Sequence, residues 1–270
     1  MNPLAWIIAL TVAGGVLGVL AAGVLLLLSD RARERLLPAL LSFAVGTLLG
    51  GAFLALLPHA LETAGVTAHG IALTVLIALL GFFLLEKMVI WRHCHTYDCE
   101  VHGGAGDGAP HLHGGAIEHA RSAAAGSLIL IGDGIHNFVD GVLIAAAFLA
   151  DVHLGIVTAI AVIAHEVPQE LGDFAILLMS GYSRVRALLY NVLSSLTMVA
   201  GGVAAYFSLS WAMAAVPYVL AAAAASFIYI AVADLIPGLH RRPALSATAQ
   251  QLALIAAGVL LIFFADRAMH

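Results

Sequence analysis

Apolar residues run through this chain in long blocks broken by short polar punctuation. A helix needs about 20 mainly apolar residues to cross a bilayer. By that measure the pattern predicts eight spans. They are Leu4–Leu28, Leu37–Ala60, Gly70–Trp91, Ala123–Ala150, Leu154–Met179, Ala187–Phe207, Met213–Leu235 and Thr248–Ala265. The expected fold is therefore an all-α membrane protein of eight transmembrane helices, one transmembrane domain over 1–270. The first block is too long for a signal peptide and lacks a basic leader, so it reads as a retained helix. Its glycines (Gly14, Gly15, Gly18, Gly23) read as close helix packing.

The polar punctuation alternates in charge. Arg31, Arg33 and Arg35 follow span 1; Lys87, Arg92 and Arg121 flank loop 3; Arg184 and Arg186 lie in loop 5, Arg241 and Arg242 in loop 7. The even loops carry no basic residue, and Arg267 alone falls on their side. Basic loops stay cytoplasmic. The reading is eight spans in the cell (inner or plasma) membrane with both termini outside. Composition agrees: 62% hydrophobic, 10% charged, mean hydropathy +1.04, which excludes a soluble domain. No basic patch points to nucleic acid, so the expected partners are the lipid bilayer and ions, with a homodimer as a candidate assembly.

Against this background two stretches stand out, GDGIHNFVDG (Gly132 to Gly141) and HEVPQELGDF (His165 to Phe174). Ionisable groups inside a membrane are expensive and mark function. At about 100° per residue, His136, Asn137, Asp140 and Asp133 share one helix face. His165, Glu166, Gln169, Glu170 and Asp173 do the same on the next span. If the faces meet, they offer a His-rich site (His136, Asp140, His165, Gln169) beside an oxygen-rich one (Asn137, Glu166, Glu170). Mixed N and O ligands suit Zn²⁺, with Fe²⁺, Mn²⁺ or Cd²⁺ as alternatives. Pro168 has no N–H and frees the carbonyl of Ala164, which suits a passage site. Asn191 on span 6 is expected either to complete the site or only to tie two helices together.

Other polar residues mark a route. His59 and Glu62, at i and i+3, form an expected outer entrance. Asp133, Asp173 and Asp234 are further entrance or exit candidates. The loop at 92–120, rich in Gly and His, reads as a flexible cytoplasmic metal-binding tract. Its candidate ligands are His93, Cys94, His95, Cys99, His102, His111, His113 and His119. The two cysteines are expected as thiols on the reducing side.

HNFVDG followed by HEVPQELGDF, with LLPHA in span 2, resembles the ZIP family of divalent metal transporters, specifically its LIV-1-like branch. The resemblance covers the whole chain. It implies a 3+2+3 bundle whose outer trios are inverted repeats. It also implies metal movement into the cytoplasm by motion of one bundle against the other, and a binuclear site. His136, Asp140, His165 and Gln169 match its first metal site; Asn137, Glu166 and Asn191 match its second. Two departures remove ligands. Gln169 stands where the family usually has a second His, and Gly51 and Ala55 stand where helix 2 often carries Asp and His.

The expected function is secondary transport of a divalent metal, with no cofactor beyond the bound cargo. The rivals are a metal sensor without flux and an intramembrane zinc protease. The protease motif H-E-x-x-H is absent, since the sequence reads HEVPQ, so no enzyme is expected. No Walker motif supports an ATP-driven pump.

Overall fold

In a computed structural model, residues 2–63, 65–95, 114–240 and 245–269 are described. They form eight helices long and apolar enough to cross a membrane, and no strand occurs among them. The helices are α1 (Pro3–Leu27), α2 (Arg31–Glu62), α3 (Ala68–His95) and α4 (Gly114–Ala150). They continue as α5 (Val152–Met179), α6 (Arg184–Ser210), α7 (Met213–Leu239) and α8 (Leu245–Met269). Residues 96–113, with Cys99, His102, His111 and His113, lie outside the described residues, as do the side chains of His93, Cys94, His95 and His119.

Local chemistry sets the helix ends. Asn2 caps α1, accepting from Leu4 N at 3.1 Å, with Pro3 in the first turn, where its missing N–H is no loss. A single residue, Asp151, separates α4 from α5, and its carboxylate accepts from His153 N (2.7 Å) and Leu154 N (3.1 Å). After α5, Gly181 turns left-handed at φ 87°. Tyr182 N bonds Leu177 O and Gly181 N bonds Leu178 O, the paired closure of a Schellman motif. Ser183 then caps α6.

Two of the helices are not uniform. α2 passes through a π-helical turn at Gly51–Leu56, and α7 through another at Ile230–Leu235. Each lies just before a proline, Pro58 and Pro237. A proline leaves a carbonyl one turn back without its helical donor. Leu57 N pairs with Ala52 O and Ile236 N with Ala231 O across the wider turn. α5, by contrast, runs as helix straight through Pro168.

Lipid is as apolar as leucine, so these helices associate by close packing. A Cβ at Gly141 would lie 1.9 Å from Met198 O, and one at Gly201 2.0 Å from Phe138 O. α4 and α6 therefore cross backbone against backbone. α1 packs on both α5 and α6: a Cβ at Gly15 would strike Ser195 Cβ at 2.8 Å, and Gly18 faces Glu166 and Glu170. Gly23 meets nothing within 4 Å, so close packing does not explain it. A second close crossing joins α2 to α8 at Gly46 and Gly258, and α3 lies along α7. The two groups meet where Gly51 of α2 faces Ala161 of α5 and Phe227 of α7. α3 and α8 are the outermost, with 6% and 11% of their apolar windows buried against 61% for α2.

Candidate metal centre

Four ligand atoms from α4 and α5 converge: His136, Asp140, His165 and Glu166 each bring one within 4.8 Å of the others. The imidazole Nε2 atoms are 3.2 Å apart. Asp140 Oδ2 lies 3.2 Å from His165 Nε2 and 3.5 Å from His136 Nε2. Glu166 Oε1 lies 3.7 Å from His136 Nε2 and 3.9 Å from His165 Nε2. Zn²⁺ binds such atoms at about 2.0–2.2 Å in a tetrahedron, whose corners are then about 3.3 Å apart. The observed spacings are those of a set that could close on one ion.

The orientation of the rings supports this. His165 Nδ1 is 3.2 Å from Ala161 O. Only a ring protonated at Nδ1 can donate there, which leaves the Nε2 lone pair facing the cluster. The His165 ring also packs edge-on to Phe227, centroids 6.2 Å apart. Three of the four side chains are sealed at 0–1% exposure, whereas His136 keeps 23%. The cluster opens on the His136 side.

A second polar group adjoins the first. Asn137 Nδ2 donates to Asp133 Oδ1 (2.8 Å), and Ser195 Oγ donates to Glu170 Oε1 (3.0 Å). Asn191 Nδ2 donates to Glu170 O (3.3 Å). What remains is one-sided. Both oxygens of Asp140 and Glu166, and Asp133 Oδ2, Asn137 Oδ1, Glu170 Oε2 and Asn191 Oδ1, are buried acceptors without a hydrogen-bond donor. Each such orphan costs about 1–3 kcal/mol. A surplus of acceptors alone calls for a cation or for protons.

The sequence-predicted residues are distributed as follows. His136, Asp140 and His165 meet. Glu166, expected in the oxygen-rich group, sends Oε1 to the imidazole pair. Asn137, Glu170, Asn191 and Asp133 form the adjoining group. Gln169 is half-buried on α5 and is not among the four converging ligand residues. Asp173 is half-buried lower on α5, and Asp234 is exposed on the π-helical turn of α7. His59 and Glu62 line a cavity of about 380 Å³ together with Asp151 of the α4–α5 turn and Asp266 of α8. Burial would raise the Asp151 carboxyl. Its two backbone donors and the neighbouring His153 and His59 outweigh that and hold it below the usual range. Sequence reasoning did not single out Ser195, Phe227 or Asp266 for the site. Ser195 carried a signal, one turn beyond Asn191 on the same face of α6; the other two carried none.

The sequence profile of a family described as "ZIP Zinc transporter" matches residues 4–266. The chain belongs to the ZIP family. It is an integral membrane protein, as its eight apolar spans already indicated. Among its ZIP relatives, the zinc transporter ZIP4 of Mus musculus is 33% identical over 261 residues, 77% of this chain and 39% of that protein. The zinc transporter ZIP10 of Danio rerio is 40% identical over 121 residues, 45% of this chain and 14% of that protein. The zinc transporter ZIP13 of Gallus gallus is 29% identical over 272 residues, 86% of this chain and 74% of that protein. The chain thus spans well under half the length of the first two, and most of the third.

Proposed function

We propose that this ZIP chain is a secondary transporter carrying a divalent metal, zinc foremost, into the cytoplasm through the centre on α4 and α5. One observation carries the reading: the two imidazoles, two carboxylates and surplus of buried acceptor oxygens of that centre. The metal-transporting relatives agree with it.

In this reading, hydrated metal gathers at the outer cavity beside His59, Glu62, Asp151 and Asp266. It reaches the exposed edge of His136 and exchanges its waters for His136, Asp140, His165 and Glu166. Two carboxylates match the double charge, so the occupied centre is neutral and tolerable in a dry interior. Asn137, Asp133, Glu170 and Asn191 supply a second, weaker set of oxygens for onward transfer. Ligands bind metal only when deprotonated, so uptake falls on acidification.

The test is metal uptake into proteoliposomes without ATP, for Zn²⁺, Cd²⁺, Fe²⁺ and Mn²⁺. Saturable uptake is expected, abolished by His165→Ala. Glu166→Gln removes a direct carboxylate ligand and is expected to lower metal affinity by more than the roughly 10–100-fold that losing an outer-shell partner costs. Tight binding with no flux for any metal would make the chain a sensor and sink the transport reading.

A further inference from the structure

Two cavities on the α1/α6 side lie outside the metal route and share a wall. The first is a groove of about 190 Å³ between α1 and α6, walled by residues such as Val12, Val16, Val192 and Val199. Its two hydroxyls are already committed. Thr11 Oγ1 donates to Ile7 O at 2.7 Å, and Ser195 Oγ to Glu170 Oε1 and Asn191 O. The groove therefore asks its occupant for no hydrogen bond. The second is a pocket of about 320 Å³ at the arginine-rich end of the same helices, where Gly23, Phe174 and Leu178 surround Arg33 and Arg184. Leu188 lines both, so the two cavities adjoin across one side chain.

We infer that the groove and the adjoining pocket together hold one anionic phospholipid, its acyl chain between α1 and α6 and its phosphate between Arg33 and Arg184. The apolar length faces the hydrocarbon, where acyl chains are the surrounding medium. The charged foot lies in the first turns of α2 and α6, whose positive dipole ends add to the attraction for an anion. All its other lining side chains are apolar. Two guanidiniums would repel a cation, so the pocket does not suit a metal exit. Gly23, which meets nothing within 4 Å, leaves open the space a side chain would fill. Ser195 stands between the groove and Glu170, so a seated acyl chain would touch the helix face behind the metal centre.

The experiment uses the full chain purified in detergent. Phosphatidylglycerol and phosphatidylcholine with identical acyl chains are added, and the melting temperature and retained lipid by native mass spectrometry are read. Phosphatidylglycerol is expected to be retained and stabilising, phosphatidylcholine much less so. The pair Arg33→Gln and Arg184→Gln is expected to weaken retention about 30-fold, since each basic residue near anionic lipid contributes about 1 kcal/mol. Val192→Trp, on an exposed position, is expected to fill the groove and reduce retention without touching charge. Three results would overturn the proposal. One is equal binding of the two lipids. Another is the same stabilisation by inorganic phosphate or glycerol phosphate alone. The third is a dimer seated on this face with no lipid preference.

Discussion

Asp151 stands alone between two long helices, and its carboxylate holds two N–H groups that α5 leaves unsatisfied. Removing such a cap costs about 1 kcal/mol, so Asp151→Ala should lower the melting temperature in detergent at neutral pH, with Asp151→Asn retaining most of the cap. The sign with pH follows from the depressed carboxyl. A group that is more acidic folded than unfolded stabilises above the unfolded value, about 3.9. That contribution disappears as pH falls below this value and through the folded one. The wild type and Asp151→Ala should therefore converge in stability only below about pH 4; convergence already at pH 6 would show that the cap is not charged. At this scale the two motifs were readable, because i and i+4 fall on one helix face and bring His136 to Asp140. Glu166 was not. A helical wheel gives the direction of Cβ, while the oxygens of a long side chain end where its rotamer takes them.

At the scale of elements, the crossing of α4 and α6 depends on an absent side chain. A methyl at Gly141 would lie 1.9 Å from Met198 O and 2.7 Å from Gly202 N, both backbone atoms that cannot rotate away. Gly141→Ala should destabilise the protein by about 3 kcal/mol, the upper part of the usual range for overpacking. Gly172→Ala, with open space around it, should not. Equal thermal unfolding of the two variants would refute the close crossing. The eight spans were legible because the hydrophobic period and length are local properties. The π-helical turns in α2 and α7 were not. Pro58 and Pro237 announce a disturbed carbonyl, but not whether the helix kinks or re-pairs it through a wider turn.

Across the whole molecule, residues far apart in sequence make the outer cavity: His59 and Glu62 from α2, Asp151 from the α4–α5 turn, Asp266 from α8. If it concentrates cations, Glu62→Gln should raise the KM for metal about two- to fivefold at low salt, the range for one exposed charge. The effect should fade at high salt, with kcat unchanged. A change in kcat at both ionic strengths would place Glu62 in the translocation step instead.

The order of spans, the gathering of basic residues into alternate loops and the polar faces of α4 and α5 were determined by sequence alone. Each is set by composition and helical period within one segment. Tertiary structure decided which polar faces meet, that Glu166 turns to the two imidazoles, that Ser195 holds Glu170, and that Phe227 backs His165. Those outcomes depend on how closely two helices cross and at what height. Close packing around glycines such as Gly15, Gly141 and Gly201 sets that crossing, and no single helix carries the information.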